Sequence, residues 1–235
     1  MNHKMNSPLL RIAAVFGLLL FVGGCATPNP TVDTSAAAED MTYDGLYRIR
    51  DSFADAAWAR PDADISRYSK IMLQGVGIEY RPGGESGKLY YLRSSDEHFE
   101  ITDRQKQRFR EILKEAFETE LARSAHFRLV NEPGPDVLLI RGGLLDVVSY
   151  VPPEPVGGSD VYLSRVGEAT LVLEIRDSES EAIIARAVDR RAAEDTARGF
   201  RKSNRVANEA EIRRVAGTWA RLLRERLDDF GPQVQ

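Results

Sequence analysis

The sequence is poor in the residues that cross-link a fold. It contains one cysteine, Cys25, in 235 residues, so a disulfide within the chain is excluded. No hydrophobic run after residue 22 is long enough to span a bilayer. A chain of this length can bury a stable core without covalent help. We therefore expect one folded domain that depends on its core alone.

Histidine is scarce, with three in the chain, and familiar metal and catalytic patterns are missing. Neither His98 nor His126 has a partner at a metal-ligand spacing such as His-x-x-x-His. There is no Gly-x-Ser-x-Gly motif of a serine hydrolase. We expect no metal, no cofactor and no enzyme, although the many carboxylates leave an acid/base site open.

Two segments partly resemble ligand-binding motifs. The glycine-rich segment 83–88 follows a predicted strand, but it lacks the Ser or Thr that a phosphate-binding loop needs after its lysine. The acidic segment 96–100 has the carboxylates that a hard cation prefers. We interpret both as solvated surface loops.

Basic residues do not dominate the composition. The formal net charge is −4, and it becomes −6 if residues 1–24, which carry Lys4 and Arg11, are removed. A negative body argues against a nucleic-acid binder. The segment 186–205 is a local exception with an excess of positive charge, and it could contact anionic headgroups, glycan or an acidic partner. A solvated strand end and loop is the alternative.

What is present begins at the amino terminus. Residues 1–11 carry two basic side chains and no acid, and Ile12 to Val22 has no polar side chain. That layout is typical of a secretory signal peptide. The apolar run is short for a transmembrane anchor, which needs about 20 residues. A signal anchor and a signal peptide without lipidation remain the alternatives.

The end of this run, Val22-Gly23-Gly24-Cys25, resembles the lipobox of bacterial lipoproteins. The resemblance implies that Cys25 receives a diacylglyceryl group, is exposed by cleavage as the new amino terminus and gains a further acyl chain such as palmitate. Ala26 stands where an aspartate would retain the protein in the inner membrane, which implies the outer membrane, with the body facing the periplasm.

Composition divides the chain into four parts. Residues 1–24 are the predicted lipoprotein signal peptide, 25–41 the lipidated terminus and flexible linker, 42–231 a single globular domain, and 232–235 a tail. The linker is rich in Thr, Pro, Ala and Ser, and a coil of about 15 residues reaches roughly 20 Å.

Hydrophobic periodicity predicts two amphipathic helices. Thr102 and Gln105 form a capping box at the start of the first one. The second covers Asn208 to Phe230, with Trp219 and Phe230 among its inward residues. The apolar positions of the first helix are Phe109, Ile112, Leu113, Ala116, Phe117 and Leu121, and the other inward residues of the second are Ile212, Val215, Leu222 and Leu223.

Strands are predicted between and before these helices. A change of phase at Gly75 suggests a bulge in the first or a strand buried on both faces, and Gly142-Gly143 suggests a bend or bulge in the third. The predicted strands are Ile71 to Tyr80, Phe127 to Val130, Val137 to Val151, and a hairpin of Ala169 to Arg176 with Ile183 to Arg190. The order favours an α+β fold (α/β-like), with a mixed, largely antiparallel sheet and both helices on one face.

Several blocks carry a family resemblance. They are Asp44-Gly45-Leu46, Asp51-Ser52, Trp58-Ala59-Arg60-Pro61, Tyr68 to Leu73, Pro133 to Val137, Gly167 to Leu171 and Asp189-Arg190-Arg191. On these, nearly the whole mature body resembles Gram-negative lipoproteins grouped as domain of unknown function 3313. The resemblance implies no catalytic residues. The element order is also similar to the TolB amino-terminal domain and to lipoproteins that activate penicillin-binding proteins.

Two functions compete. The first is a tethered binding or scaffold module of the cell envelope, with an envelope protein or peptidoglycan as partner and the membrane held through Cys25. Its candidate contact residues are Tyr90, Tyr91, Tyr162, Arg198, Arg201 and Lys202. The second is a periplasmic small-ligand carrier or hydrolase with a cleft under the 82–100 and 152–165 loops, because long loops commonly carry function.

Overall fold

A computed structural model describes residues 31–32, 41–82, 98–152, 160–194 and 199–230 of the chain. The elements are β1 Thr31–Val32, β2 Tyr47–Arg50, β3 Ala56–Ala59, β4 Lys70–Tyr80, α1 Asp103–Leu121, β5 Arg128–Val130, β6 Val137–Ser149, β7 Tyr162–Leu163, β8 Arg165–Asp177, β9 Ile183–Glu194, β10 Arg201–Lys202 and α2 Arg205–Phe230.

Eight strands form one sheet in the order β1-β2-β3-β9-β8-β6-β4-β5. The pairs of β4 with β5 and with β6 are parallel, and the other neighbours are antiparallel. β7 and β10 form a separate two-stranded ribbon. The α+β class and the mixed, largely antiparallel sheet are therefore confirmed. The likeness to the TolB domain stays a prediction.

The change of phase in β4 is a break in register. β4 pairs with β6 through Gly75, slips by one residue, and resumes at Gly77, which pairs with Gly143. The extra residue, Val76, leans toward β6, where a Cβ on Gly143 would lie 2.9 Å from Cγ2 of Val76. A glycine in β6 is required there because any side chain would collide with the bulge.

The bend in β6 falls elsewhere than predicted. Gly142 and Gly143 pair in regular register with β8, whereas the register shifts between Leu145 and Val148. Asp146, inside that shift, has a positive φ of 53°. The expected bulge at the glycine pair is wrong because these glycines accommodate the neighbouring bulge and do not form one.

The amino-terminal cap of α1 is confirmed. The side chain of Thr102 accepts a hydrogen bond from the N–H of Gln105, and the N–H of Thr102 donates to Oε1 of Gln105 at 2.8 Å. Each side chain satisfies a backbone N–H that the first turn leaves without a partner. Ile112 and Leu121 are the buried residues of this helix.

α2 begins at Arg205, slightly before the predicted start, and supplies much of the core through Val215, Trp219, Leu223 and Leu227. It packs against β8 and β9, and α1 packs against α2. Phe230 is 51% exposed, so its predicted burial is wrong. It is the last residue of α2, and it borders an open space beside the sheet. Neither helix in the described ranges is long and apolar enough to cross a membrane.

Two parts of the sheet have no sequence prediction behind them. β2 and β3 are four residues long each, and alanine fills most of β3, so neither shows a clear alternation. β1, inside the predicted linker, pairs with β2 through Thr31 and Val32. At the end of the linker, Met41 forms an isolated antiparallel bridge with Tyr47, and residues 25–30 and 33–40 lie outside the described residues.

Candidate functional site

A cavity of about 350 Å³ lies between the carboxyl-terminal half of α2 and one end of the sheet. Its floor is formed by Ala57 and Ala59 of β3 with Ala185 and Ala187 of β9, and Leu223 and Leu227 of α2 lie across from them. We call this space the alanine cavity. An apolar space of about 150 Å³ already admits benzene, so this one is large enough for an organic ligand.

The floor follows from strand pairing. Ala57 pairs with Ala187 and Ala59 with Ala185, so residues two apart on each strand meet on the helix face of the sheet. Four methyl groups stand where larger side chains would otherwise meet α2. Because protein interiors otherwise pack tightly, this patch of small residues explains why a gap remains under the helix.

The remaining walls are mainly apolar. Phe53 and Ile65 come from the segments around β3, Leu173 comes from β8, and Phe230 lies at the end of α2. Val32 of β1 also lines the cavity. Sequence periodicity placed Phe230 in the core. Its exposed side chain is instead part of the wall of an open cavity.

Arg60 introduces a charge beside the floor, since it directly follows Ala59. Its Nε donates to the carbonyl oxygen of Ile183 at 2.6 Å, and its Nη2 donates to the carbonyl of Asp44 at 3.4 Å. No carboxylate in the described ranges forms an ion pair with Arg60. The side chain is half-buried and is oriented by backbone oxygens, which carry no compensating full charge.

The other charges at the cavity have partners of their own. Nη1 of Arg226 lies 3.0 Å from Asp229, and its guanidinium carbon lies 5.8 Å from the ring centre of Phe53. The hydroxyl and N–H of Ser66 donate to Asp64 and hold the pKa of that carboxyl below its usual range. Asp64 is therefore charged at neutral pH.

The hydroxyls of this lining make local hydrogen bonds. Its described residues include the hydroxyls of Ser52 and Ser66 but no histidine and no glutamate. Ser52 accepts from the N–H of Ala54, and Ser66 donates to Asp64. Neither hydroxyl has a nitrogen base beside it, the arrangement that activates a serine nucleophile. A mainly apolar space with few polar groups is typical of ligand pockets.

Three predicted contact residues come together on the ribbon of β7 and β10. Lys202 pairs with Tyr162, and Arg201 pairs with Leu163. Tyr162 is 55% exposed, and the neighbouring Phe200 is 75% exposed. The structure thus joins an aromatic and a basic segment that are distant in sequence.

The basic side chains of this ribbon are paired. Arg201 forms an ion pair with Glu211. Nζ of Lys202 lies 2.7 Å from Asp160, whose hydrogen bond and charge raise the pKa of the lysine. Their charge is therefore partly compensated within the chain.

The same holds for the arginines of β9. The ion pairs, with their N to O distances, are Arg186 to Asp44 at 2.8 Å, Arg190 to Glu168 at 2.6 Å, Arg190 to Asp146 at 2.9 Å and Arg191 to Asp189 at 2.6 Å. Asp189 lies within the same segment, but Asp44, Asp146 and Glu168 come from distant parts of the chain, and the local charge count could not reveal them.

Other predicted residues lie outside the described part of the chain. They are Cys25, Tyr90, Tyr91 and Arg198. The alternative cleft under the 82–100 and 152–165 loops also rests on residues largely outside it, and the alanine cavity lies elsewhere. In the described ranges no group of three or more His, Cys, Asp or Glu side chains is arranged to hold a metal ion.

The sequence did contain a signal for the cavity. Alanines recur two apart at Ala57 and Ala59 and again at Ala185 and Ala187. The signal could be interpreted only once the register showed that the two pairs face each other on one side of the sheet.

Comparison with known proteins adds a family and remote structural likenesses. The family model described as "Protein of unknown function (DUF3313)" matches residues 33–223. No curated protein matches the chain.

Three solved structures illustrate the structural likeness. A Xanthomonas campestris protein of family model DUF330 is 10% identical, with 73% of this chain and 90% of that chain covered and a TM-score of 0.39. A PelC dodecamer from Paraburkholderia phytofirmans is 10% identical, with 66% and 89% covered and a TM-score of 0.33. A homologue of neuraminyllactose-binding hemagglutinin from Helicobacter pylori is 12% identical, with 69% and 84% covered and a TM-score of 0.32.

Proposed function

Because the chain belongs to the family described as Protein of unknown function (DUF3313), whose description names no activity, we propose a function from its own geometry. The protein is an outer-membrane lipoprotein, anchored at Cys25, whose periplasmic body is a binding module and not an enzyme. The module holds an apolar ligand in the alanine cavity.

The observation that carries this proposal is the alanine floor. Paired residues of β3 and β9 are alanines that face α2, and a space of about 350 Å³ remains beneath that helix. That volume lies at the low end of the ~300–1,000 Å³ typical of ligand sites. The absence of a nucleophile and base pair among the described lining residues favours a carrier over a hydrolase.

The anchor and the cavity are close along the chain. Val32 lines the cavity, and Cys25 lies seven residues before it. A chain of that length spans at most about 25 Å when fully extended. Lipidation at Cys25 would therefore keep the cavity near the membrane surface, where apolar ligands are abundant.

Metabolic labelling with a palmitate analogue tests the anchor. We expect label on the wild-type protein and none on Cys25→Ser, with the wild type recovered in the outer-membrane fraction. Labelling of Cys25→Ser, or none on the wild type, would contradict lipidation.

Photocrosslinking tests the cavity. The full chain, reconstituted in phospholipid nanodiscs, is irradiated with a long-chain alcohol that carries a diazirine near the end of its tail. We expect crosslinks that map to β3, β9 and α2, and we expect Ala187→Leu to remove most of them because the added carbons fill the floor. Ala192→Leu is the matched control, since Ala192 pairs with Glu168 on the other face of the sheet.

The outcome separates binding from adsorption. If Ala187→Leu and Ala192→Leu crosslink to the same extent, the probe does not occupy the cavity and the proposal fails. Ala187→Val is a milder variant for the case that leucine prevents folding.

The ribbon of β7 and β10 supports a second, compatible role as a contact for an envelope protein or peptidoglycan. The exposed Tyr162 lies opposite Lys202 there, and the exposed Phe200 directly precedes β10. A photoreactive amino acid at Tyr162 should crosslink to one such partner in cells. If it captures neither a protein nor a peptidoglycan fragment, this second role is wrong.

A further inference from the structure

We infer that the alanine cavity binds a single-chain amphiphile with an anionic head, a carboxylate or a phosphate, and that Arg60 binds the head while the tail lies over the alanine floor. This inference rests on the proposed binding function and adds the chemical class of the ligand.

The apolar floor beside the charged Arg60 favours a ligand with two chemically different ends. Ala57, Ala59, Ala185 and Ala187 offer only methyl groups to whatever lies over them. An apolar tail is the group that gains free energy there, at about 25 cal/mol per Å² of apolar surface removed from water. A wholly polar ligand would leave its hydrogen bonds unsatisfied in this space.

Arg60 determines the charge of the other end. Its side chain donates to the carbonyl oxygens of Ile183 and Asp44, and no carboxylate of a described residue pairs with it. These two bonds fix the guanidinium but leave its positive charge uncompensated. A carboxylate or phosphate can accept two parallel N–H bonds from a guanidinium, which are stronger than neutral hydrogen bonds.

The remaining charges do not cancel this preference. Arg226 is paired with Asp229, and Arg186 is paired with Asp44 and Glu174. Asp64 is the one described acid in the lining, and its carboxylate is exposed and accepts from Ser66. Arg60 is thus the lining cation that an anionic head can bind without displacing an ion pair between described residues.

The test compares heads on one tail. The full chain in neutral phospholipid nanodiscs is irradiated with three diazirine probes of equal tail length: a fatty acid, a lysophosphatidic acid and an alcohol. We expect the acid or the lysophosphatidic acid to crosslink to β3, β9 and α2 about tenfold more than the alcohol at the same low probe concentration in the nanodiscs, the ratio that corresponds to about 1.4 kcal/mol. Whichever of the two is preferred identifies a free fatty acid or a phospholipid as the source.

Two arginine variants supply the control. Arg60→Gln should remove the preference for anionic heads, so that the fatty acid and the lysophosphatidic acid crosslink no more than the alcohol does. Arg48→Gln should keep the preference, because Arg48 lies over Trp58 at 4.8 Å from its ring centre and outside the cavity lining.

The outcomes for the two proposals are distinct. Equal crosslinking by all three probes in the wild type, or a preference that persists in Arg60→Gln, overturns the anionic head and leaves the apolar site intact. If no probe, including the alcohol, maps to the cavity, both the inference and the proposed function fail.

Discussion

Replacing Trp219 by phenylalanine should destabilise the fold much more than the same change at the other tryptophan, Trp58. Trp219 is 3% exposed, and its indole Nε1 donates to Oδ2 of Asp189 at 2.7 Å. This bond joins the middle of α2 to β9. Phenylalanine keeps an aromatic ring there but removes the donor and part of the ring.

The size of the effect follows from these contacts. A hydrogen bond to a charged acceptor contributes about 1.5–3 kcal/mol, and the smaller ring leaves a gap that adds about 1 kcal/mol. Asp189 still accepts from Nε of Arg191 and from the N–H of Asp55, so its charge is not left without partners. We therefore expect Trp219→Phe to lower the free energy of unfolding by about 2–4 kcal/mol.

Trp58 provides the matched control. It lies on the opposite face of the sheet, half-buried under Arg48, and its indole N–H makes no hydrogen bond to a described residue. Trp58→Phe should cost less than about 1 kcal/mol, the range of an exposed cation–π contact. Urea unfolding followed by circular dichroism measures both variants without relying on the replaced fluorophore.

A double-mutant cycle isolates the hydrogen bond. Asp189→Asn replaces one carboxylate oxygen by an NH2 group. That group must face either the indole and guanidinium donors or the N–H of Asp55, so this variant should also destabilise the protein. Together with Trp219→Phe, the coupling energy should exceed about 1 kcal/mol. Equal losses for the two tryptophan variants, or no coupling to Asp189, would refute the reasoning.

Two further predictions concern pH and backbone packing. The pKa of Asp177 is lowered from 3.8 to about 2, chiefly by the hydrogen bond from the N–H of Ser180. The stabilisation that this lowered pKa gives is complete above pH 4 and is lost as the pH falls through 2. The difference in unfolding free energy between wild type and Asp177→Asn should therefore shrink from about 2 kcal/mol toward zero over that range, as measured in an acid-unfolding series. A Cβ on Gly167 would collide with the carbonyl oxygen of Val148, so Gly167→Ala should lose about 1–3 kcal/mol in thermal or urea unfolding. Gly217, in α2 with nothing within 4 Å of an added Cβ, is its control, and Gly217→Ala should gain up to about 1 kcal/mol; the reverse order would contradict the packing of β6 against β8.

Sequence patterns predicted the long elements well. The capping box at Thr102, the alternation in β8 and the bulge near Gly75 are local features, and each was found where it was predicted. The errors arose where a neighbour decides the outcome. The pair Gly142-Gly143 accommodates a bulge in another strand, and Phe230 is exposed because it borders the alanine cavity.

Composition and patterns within a few residues were enough to predict the class of the domain, to exclude a disulfide within the chain and to predict a lipid anchor at Cys25. The position of a ligand site depends instead on contacts between distant segments. Ala57 and Ala187 are far apart in sequence, and they form one floor because antiparallel pairing places them opposite each other beneath α2. Arg60 acquires its proposed role for the same reason, since the pairing of its neighbours determines which charges it meets.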